Sequence, residues 1–140
     1  MGIIVEYIDL ERQRRQLLSR LVVYYKKFMK IKEEPISISV RLSEELAKVK
    51  EKRRSMKLEQ CFRTVLSELP DGVVVKDIDV MFNPAYQVDV LRIIVNVRKE
   101  KNFSVVWPGE CRDGKLIYAE EGYPDYKVYN VADYDVACII

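Results

Sequence analysis

Val73–Pro84, VVVKDIDVMFNP, is the stretch whose reading decides the fold. Val73, Val74 and Val75 open an apolar, β-branched run that closes on two carboxylates, Asp77 and Asp79. Residues 73 to 82 therefore predict a buried strand that carries acids to its carboxyl end. Open α/β sheets assemble phosphate and metal sites at that end. Two acids spaced by two on a strand share a face, a geometry that suits Mg²⁺; the competing reading is a pair of strand-end acceptors for backbone or arginine donors. A strand that positions Mg²⁺ beside a nucleotide is normally accompanied by a phosphate-cradling G-x-x-x-x-G-K-[ST] loop. The chain contains no such motif.

Downstream, Asn83 and Pro84 read as the cap and first residue of a helix running through Arg98, with Val90, Ile93, Ile94 and Val97 on its apolar face. FSVVW, Phe103–Trp107, is a further strand closed by Pro108 and Gly109. Upstream, Pro70, Asp71 and Gly72 stop a helix marked by Leu58, Phe62, Val65, Leu66 and Leu69. Before it, Ile36, Ile38 and Val40 alternate with Ser37, Ser39 and Arg41, which predicts a strand over 36 to 41. Ser43 then reads as an N-cap, with Glu44 and Glu45 at the positive end of the following helix. At the start, Ile3, Ile4 and Val5 predict a short strand and Asp9 an N-cap. From Leu10 onward, Leu17, Leu18, Leu21, Val22, Tyr25, Phe28 and Met29 recur at spacings of 3 and 4, which predicts one amphipathic helix ending before Pro35. The resulting β-α-β-α-α-β-α-β order folds, with right-handed crossovers, into a mainly parallel sheet covered by helices. Strands 36 to 41, 73 to 81 and 103 to 107 are expected as parallel neighbours, with helices around 10 to 33 and 85 to 98 packed on them.

After Trp107 the character changes. Asp113-Gly114 is a tight-turn signal, and EEGYPDY separates KLIYAE from KVYNV, so these strands are expected to be antiparallel. Tyr118, Tyr123, Tyr126, Tyr129 and Tyr134, with Trp107, read either as the padding of a small sheet or as a stacking platform for bases. Glu120, Glu121 and Asp125 lie in a Gly/Pro turn and read as a solvated loop. Tyr134 to Ile140 ends in a run expected to form a last buried strand.

The 140 residues, 49% hydrophobic and 33% charged, suit one α/β domain over 1–140. No apolar run approaches a membrane span and the start lacks a secretory pattern, so the expected location is cytoplasmic. The chain has no histidine, and Cys61, Cys111 and Cys138 are widely spaced, which argues against a zinc site or a Cys-His nucleophile and for reduced thiols. No constellation for acid/base or nucleophilic catalysis is apparent, and the reading is of a protein without catalytic residues. Residues 1 to 60 hold 15 Lys and Arg against 9 Asp and Glu, a balance of +6, whereas the remainder holds 9 against 13, a balance of −4. Arg12, Arg14, Arg15, Lys52, Arg53 and Arg54 are the candidate basic contact surface, for DNA or for an acidic protein.

Taken together, LSEELAKVKEKRRSMKLEQCF, VVVKDIDVMFNPAYQVDVLRII, FSVVWPGE and GKLIYAEEGYPDYKVY resemble the BrxF family of small P-loop proteins from bacteriophage-exclusion (BREX) defence systems. The similarity runs from about Pro35 to Tyr129, roughly two thirds of the chain. The resemblance implies a mainly parallel, P-loop-NTPase-like sheet flanked by helices, with a small antiparallel C-terminal extension, and other defence-system proteins as partners. It also implies a phosphate loop between the first strand and first helix, where this chain has VEYIDLERQRRQLL. That stretch has no glycine, offers arginines in place of the lysine, and carries Glu6, Asp9 and Glu11, which would repel a triphosphate. The position of the family's metal-binding acid falls on Asp77 or, depending on the register of Phe82, on Lys76. The implied function is that of a non-catalytic accessory component acting through protein–protein interaction, with no cofactor expected. The alternatives are an ATP-binding or ATPase subunit using Mg²⁺ at Asp77 and Asp79, and a DNA-binding module using the basic half.

Overall fold

The computed structural model describes residues 1–6, 17, 19–25 and 33–140. Nine strands are described: β1 (Ile3–Val5), β2 (Leu21–Tyr25), β3 (Ile36–Ser37), β4 (Val73–Lys76), β5 (Phe103–Trp107), β6 (Glu110–Arg112), β7 (Lys115–Tyr118), β8 (Lys127–Asn130) and β9 (Val136–Ile139). They accompany three described helices, α1 (Ser39–Ala47), α2 (Arg54–Ser67) and α3 (Val90–Arg98). Six strands form a sheet in the order β1-β9-β2-β5-β4-β3, parallel at every pairing, and β6-β7-β8 form a small antiparallel sheet. The expected parallel neighbours β3, β4 and β5 are adjacent, and β6, β7 and β8 after Trp107 are antiparallel as the turn signals require, whereas β9 returns to the parallel sheet.

A parallel sheet needs strands that tolerate burial on both faces. In β9 all four residues, Val136, Ala137, Cys138 and Ile139, are buried, and this strand fills the slot between β1 and β2. The steps from β3 to β4 and from β4 to β5 cross the sheet in the same direction, so right-handed connections put α1, α2 and α3 on one face. There α1 packs on α2 and α2 on α3. Leu58, Phe62 and Leu66 of α2 meet Leu91 and Ile94 of α3 in one core with the sheet, and Phe62 stands edge-on to Phe103 at 5.7 Å between ring centres.

Four boundaries differ from the sequence reading, each for a physical reason. Leu21–Tyr25 is a strand, not part of a helix over 10 to 33; the remainder of that stretch, including the Asp9 cap, lies outside the described residues. Two adjacent valines and two tyrosines favour the extended chain, and pairing to both β9 and β5 outweighs a helical spacing that a short apolar run shows by coincidence. The strand expected over 36 to 41 stops at Ser37, because Ile38, Leu42 and Leu46 recur every four residues and bury one face of α1. Ser43, Glu44 and Glu45 therefore lie in mid-helix rather than at its start.

Strand β4 likewise ends at Lys76, not at 82. Asp77 takes a left-handed φ of 60°, which aspartate tolerates better than most residues, and Asp79–Phe82 is a 3-10 turn that buries Met81 and Phe82, with Ile78 buried just before it. Finally, Asn83 is not the cap of a helix starting at 85. Its side-chain oxygen accepts from the Ala85 amide in a local turn, whereas α3 begins at Val90 with the Asp89 carboxylate accepting from the Arg92 amide at 2.9 Å.

The antiparallel sheet is fastened to the parallel one through an aromatic column. The Trp107 indole N–H donates to the Ile117 carbonyl at 2.9 Å, and its ring stands edge-on to both Phe82 and Tyr129. Tyr118 stacks on Phe82 at 3.9 Å, and Tyr134 closes the column against Tyr129. Gly109 passes so close to Ile117 that a Cβ there would fall 1.9 Å from the carbonyl oxygen, so only glycine fits. The hairpin turn Asp113-Gly114 has both φ angles positive, the twist that a two-residue connection between antiparallel strands requires.

Candidate functional site

In an open α/β sheet the crevice lies at the carboxyl ends of adjacent strands whose outgoing connections depart in opposite directions. Here that place is between β2 and β5. From β2 the chain crosses to β3 at the far edge, and from β5 it crosses the other way, past β2, to β9. The residues immediately after β2, Lys26 to Lys32, lie outside the described residues, as does most of VEYIDLERQRRQLL. Because Leu21–Tyr25 is a strand, the switch point comes one strand later than the position that the family resemblance assigns to a phosphate loop.

Asp77 and Asp79 follow β4, one strand away. They do not share a strand face, since Asp77 occupies the left-handed turn and Asp79 opens the 3-10 segment. The Asp79 carboxylate accepts a hydrogen bond from the Tyr118 hydroxyl at 3.1 Å, which ties the acidic turn to the antiparallel sheet. Burial, then the Asp79 charge, raises the Tyr118 phenol above its ordinary range. Asp77 is exposed. Among the described residues no group of three or more Cys, Asp or Glu side chains converges as a metal site.

A second concavity lies on the helical side. A groove of about 630 Å³ separates the entry to α2 from the turn after Phe82. Lys50, Lys52, Arg54 and Ser55 line one wall, and Asn83 and Tyr86 the other. This volume is in the range of small-ligand clefts. The elements position the cations differently. Arg54 turns its Nε inward to the Leu46 and Val49 carbonyls at 3.0 and 3.1 Å, just past the end of α1, where the Leu46 carbonyl also accepts from the Val49 amide. Lys52 and Arg53 point from an exposed 3-10 turn, Glu51–Arg53, and Lys50 precedes it.

Elsewhere on the same helices most cations are matched, although exposed Lys57 on α2 is in no ion pair among the described residues. Arg41 bridges Glu44, Glu45 and Glu68, and Arg63 bridges Glu59 and Glu100. The Lys48 ammonium, with Arg41, holds the Glu45 carboxyl below its ordinary value. Among the described residues, no ion pair involves Lys50, Lys52 or Arg53. The groove thus gathers positive charge from Lys50, Lys52 and Arg54, with Glu51 the acid on its wall.

No family model, curated protein or solved structure matches this chain. Of the candidate basic surface, Lys52 and Arg54 line the groove, with Arg54 largely committed to α1, and exposed Arg53 lies between them in sequence; Arg12, Arg14 and Arg15 lie outside the described residues. The far wall, Asn83 and Tyr86, read in sequence as the start of a helix rather than as a turn. What brings it to the basic run is the 3-10 segment, whose signal was the apolar spacing of Ile78, Met81 and Phe82. Trp107 and Tyr129 are buried and Tyr118 and Tyr134 pack into the same column, so these four pad the sheets, while Tyr123 is exposed. Cys61 and Cys138 are buried free thiols and Cys111 is a partly buried one. Among the described residues, no helix is long and apolar enough to cross a membrane.

Proposed function

We propose that this chain is a non-catalytic accessory component of an anti-phage defence system, and that it acts by docking the groove beside Lys50, Lys52 and Arg53 against an acidic surface of a partner protein. The observation that carries the reading is the local charge excess: a concave, ligand-sized surface with exposed cations, on a protein in which Arg41, Lys48 and Arg63 of the helix surfaces are ion-paired. A protein partner is favoured over DNA because Glu44, Glu45 and Glu51 dilute the positive field on the same elements. The defence context rests on the resemblance carried by FNPAYQVDVL and GKLIYAEEGYPDY.

Charge reversal at Lys52 and Arg53, leaving Arg54 in place, is expected to abolish co-purification with the proteins encoded beside this one, while the circular dichroism spectrum and melting temperature stay unchanged. A double variant that still co-purifies would remove the groove from the interface. Duplex DNA is expected to bind negligibly at physiological salt; nanomolar binding with a salt slope steeper than about −4 would make the groove a phosphate-contacting surface instead.

The strand order favours one other reading, a nucleotide bound at the crevice between β2 and β5 with Asp77 near its metal. Titration of the full chain with Mg-ATP is expected to give no binding tighter than the millimolar range, about −4 kcal/mol. Micromolar affinity lost in Asp77→Ala would establish the nucleotide reading in place of the docking one.

A further inference from the structure

The cations of the groove have a counterpart on the same chain. Between β7 and β8 the segment EEGYPDY, residues 120 to 126, carries Glu120, Glu121 and Asp125 and no cation. Two successive turns fix its shape: the Tyr123 amide donates to the Glu120 carbonyl and the Tyr126 amide to the Tyr123 carbonyl, both at 3.1 Å. Gly122 supplies the positive φ, 95°, that the third position of the first turn takes. The segment is therefore a shaped projection, and its tip is acidic and aromatic at once. Glu120 and Glu121 are exposed, and Tyr123 is 62% exposed. Among the described residues, no ion pair involves Glu120, Glu121 or Asp125.

The groove offers the complementary set. Lys50 and Lys52 are exposed at its rim, and Tyr86 stands on the opposite wall. Arg54 is fixed through its Nε by the Leu46 and Val49 carbonyls, so its guanidinium is already oriented when a carboxylate arrives. None of residues 120 to 126 lines the groove of its own chain, so these acids and cations come together between two copies.

We infer that the groove of one copy takes the Glu120–Tyr126 turn of a second copy, so that the chain self-associates through the surface it also offers to its acidic partner. The inference rests on the groove being a protein-docking surface, and it names one occupant of that surface. Charge complementarity carries it. The turn brings Glu120, Glu121 and Asp125 with no cation, and the groove brings Lys50, Lys52 and Arg54 against the single acid Glu51. Tyr123 adds an exposed aromatic anchor of the kind that protein interfaces favour. Because a second copy and the acidic partner use the same groove, they compete, and self-association holds the chain in reserve until the partner displaces it.

Sedimentation velocity on the full chain tests this. The parent is expected to associate with a Kd on the order of 10 µM at low ionic strength, weakening at least about tenfold between roughly 0.05 and 0.5 M NaCl as exposed charges are screened. Glu120→Lys/Glu121→Lys and Lys50→Glu/Lys52→Glu are each expected to be monomeric at about 100 µM. An equal mixture of the two should associate again, because each supplies the sign that the other has lost. All four positions are exposed, and parent-like circular dichroism checks that the variants fold. Tyr123→Ser changes no charge and should weaken the parent's association about tenfold, a readout that does not depend on the reversals. A parent that stays monomeric at about 100 µM in low salt, a loop variant that associates as the parent does, or a mixture that stays monomeric would each overturn the inference. The docking reading is judged separately. A monomeric parent whose Lys50→Glu/Lys52→Glu variant loses co-purification leaves that reading standing, whereas a groove variant that both self-associates and co-purifies like the parent removes the two together.

Discussion

Trp107→Ala is expected to lower unfolding free energy by about 3 to 5 kcal/mol, the range for removing a fully buried large aromatic side chain. The indole is 0% exposed and is engaged on three sides, by Phe82, by Tyr129 and through its N–H by the Ile117 carbonyl. Truncation leaves a cavity where the two sheets meet and strips a buried acceptor of its donor, and the second loss alone costs about 1 to 3 kcal/mol. Trp107→Phe should retain most of the ring packing and lose mainly the hydrogen bond, so its penalty should fall between parent and alanine. Urea unfolding followed by far-ultraviolet circular dichroism measures both, since the chain's one tryptophan is removed in each. A loss below about 1 kcal/mol in the alanine variant would mean that the antiparallel sheet is held by something other than this side chain.

Alkaline pH is expected to destabilise the fold through tyrosines that the core keeps neutral. Burial, then the nearby Asp89 charge, pushes Tyr129 up to about 12; Tyr118 and Tyr134 are raised as well, first by burial and then by Asp79 and Asp89 respectively. An unfolded tyrosine loses its proton near pH 10, so above that pH the folded chain binds more protons than the unfolded one and stability falls as pH rises. The contribution is intact below about pH 10 and disappears through the folded value near 12, which for the buried Tyr129 corresponds to about 3 kcal/mol. The unfolding midpoint in urea should therefore drop steeply between pH 10 and 12.

Tyr129→Phe should flatten that slope. At pH 7 it should be close to neutral, because the buried hydroxyl has no hydrogen-bond partner in good geometry and the Val90 amide is the polar group facing it. A midpoint unchanged to pH 12, or a phenylalanine variant with the parent's slope, would contradict the assignment.

The parallel arrangement of β3, β4 and β5 was legible because each has a connection long enough to return the chain in the same direction, with helical apolar spacing inside it. Asp113-Gly114 announced its hairpin for an equally local reason, since both residues tolerate positive φ. What was illegible is instructive. In LVVYY the apolar residues satisfy period 3.6 and period 2 at once, and only the unfilled place between β9 and β5 decides. The same ambiguity hid α1 inside PISISVRL, where Ile38 and Leu42 belong to a spacing of four and Ile36, Ile38 and Val40 to a spacing of two. For the candidate site, Lys52 and Arg53 could be named from charge alone. Their apposition to Asn83 and Tyr86 could not, because it depends on the turn that Asp77 initiates, and a left-handed aspartate leaves no trace in composition.

The position of β9 between β1 and β2 has a kinetic consequence. β1 cannot find its neighbour, nor β2 fill its edge opposite β5, until residues on the order of a hundred positions further along have joined them, as the pairings of Ile3 with Ala137 and of Leu21 with Val136 require. During synthesis, β1 must wait unpaired, and β2 keeps one open edge, while β2 to β5 assemble with their helices. Closing so long a loop slows folding, and the waiting edges are where a nascent chain is open to mispairing or to capture by a chaperone.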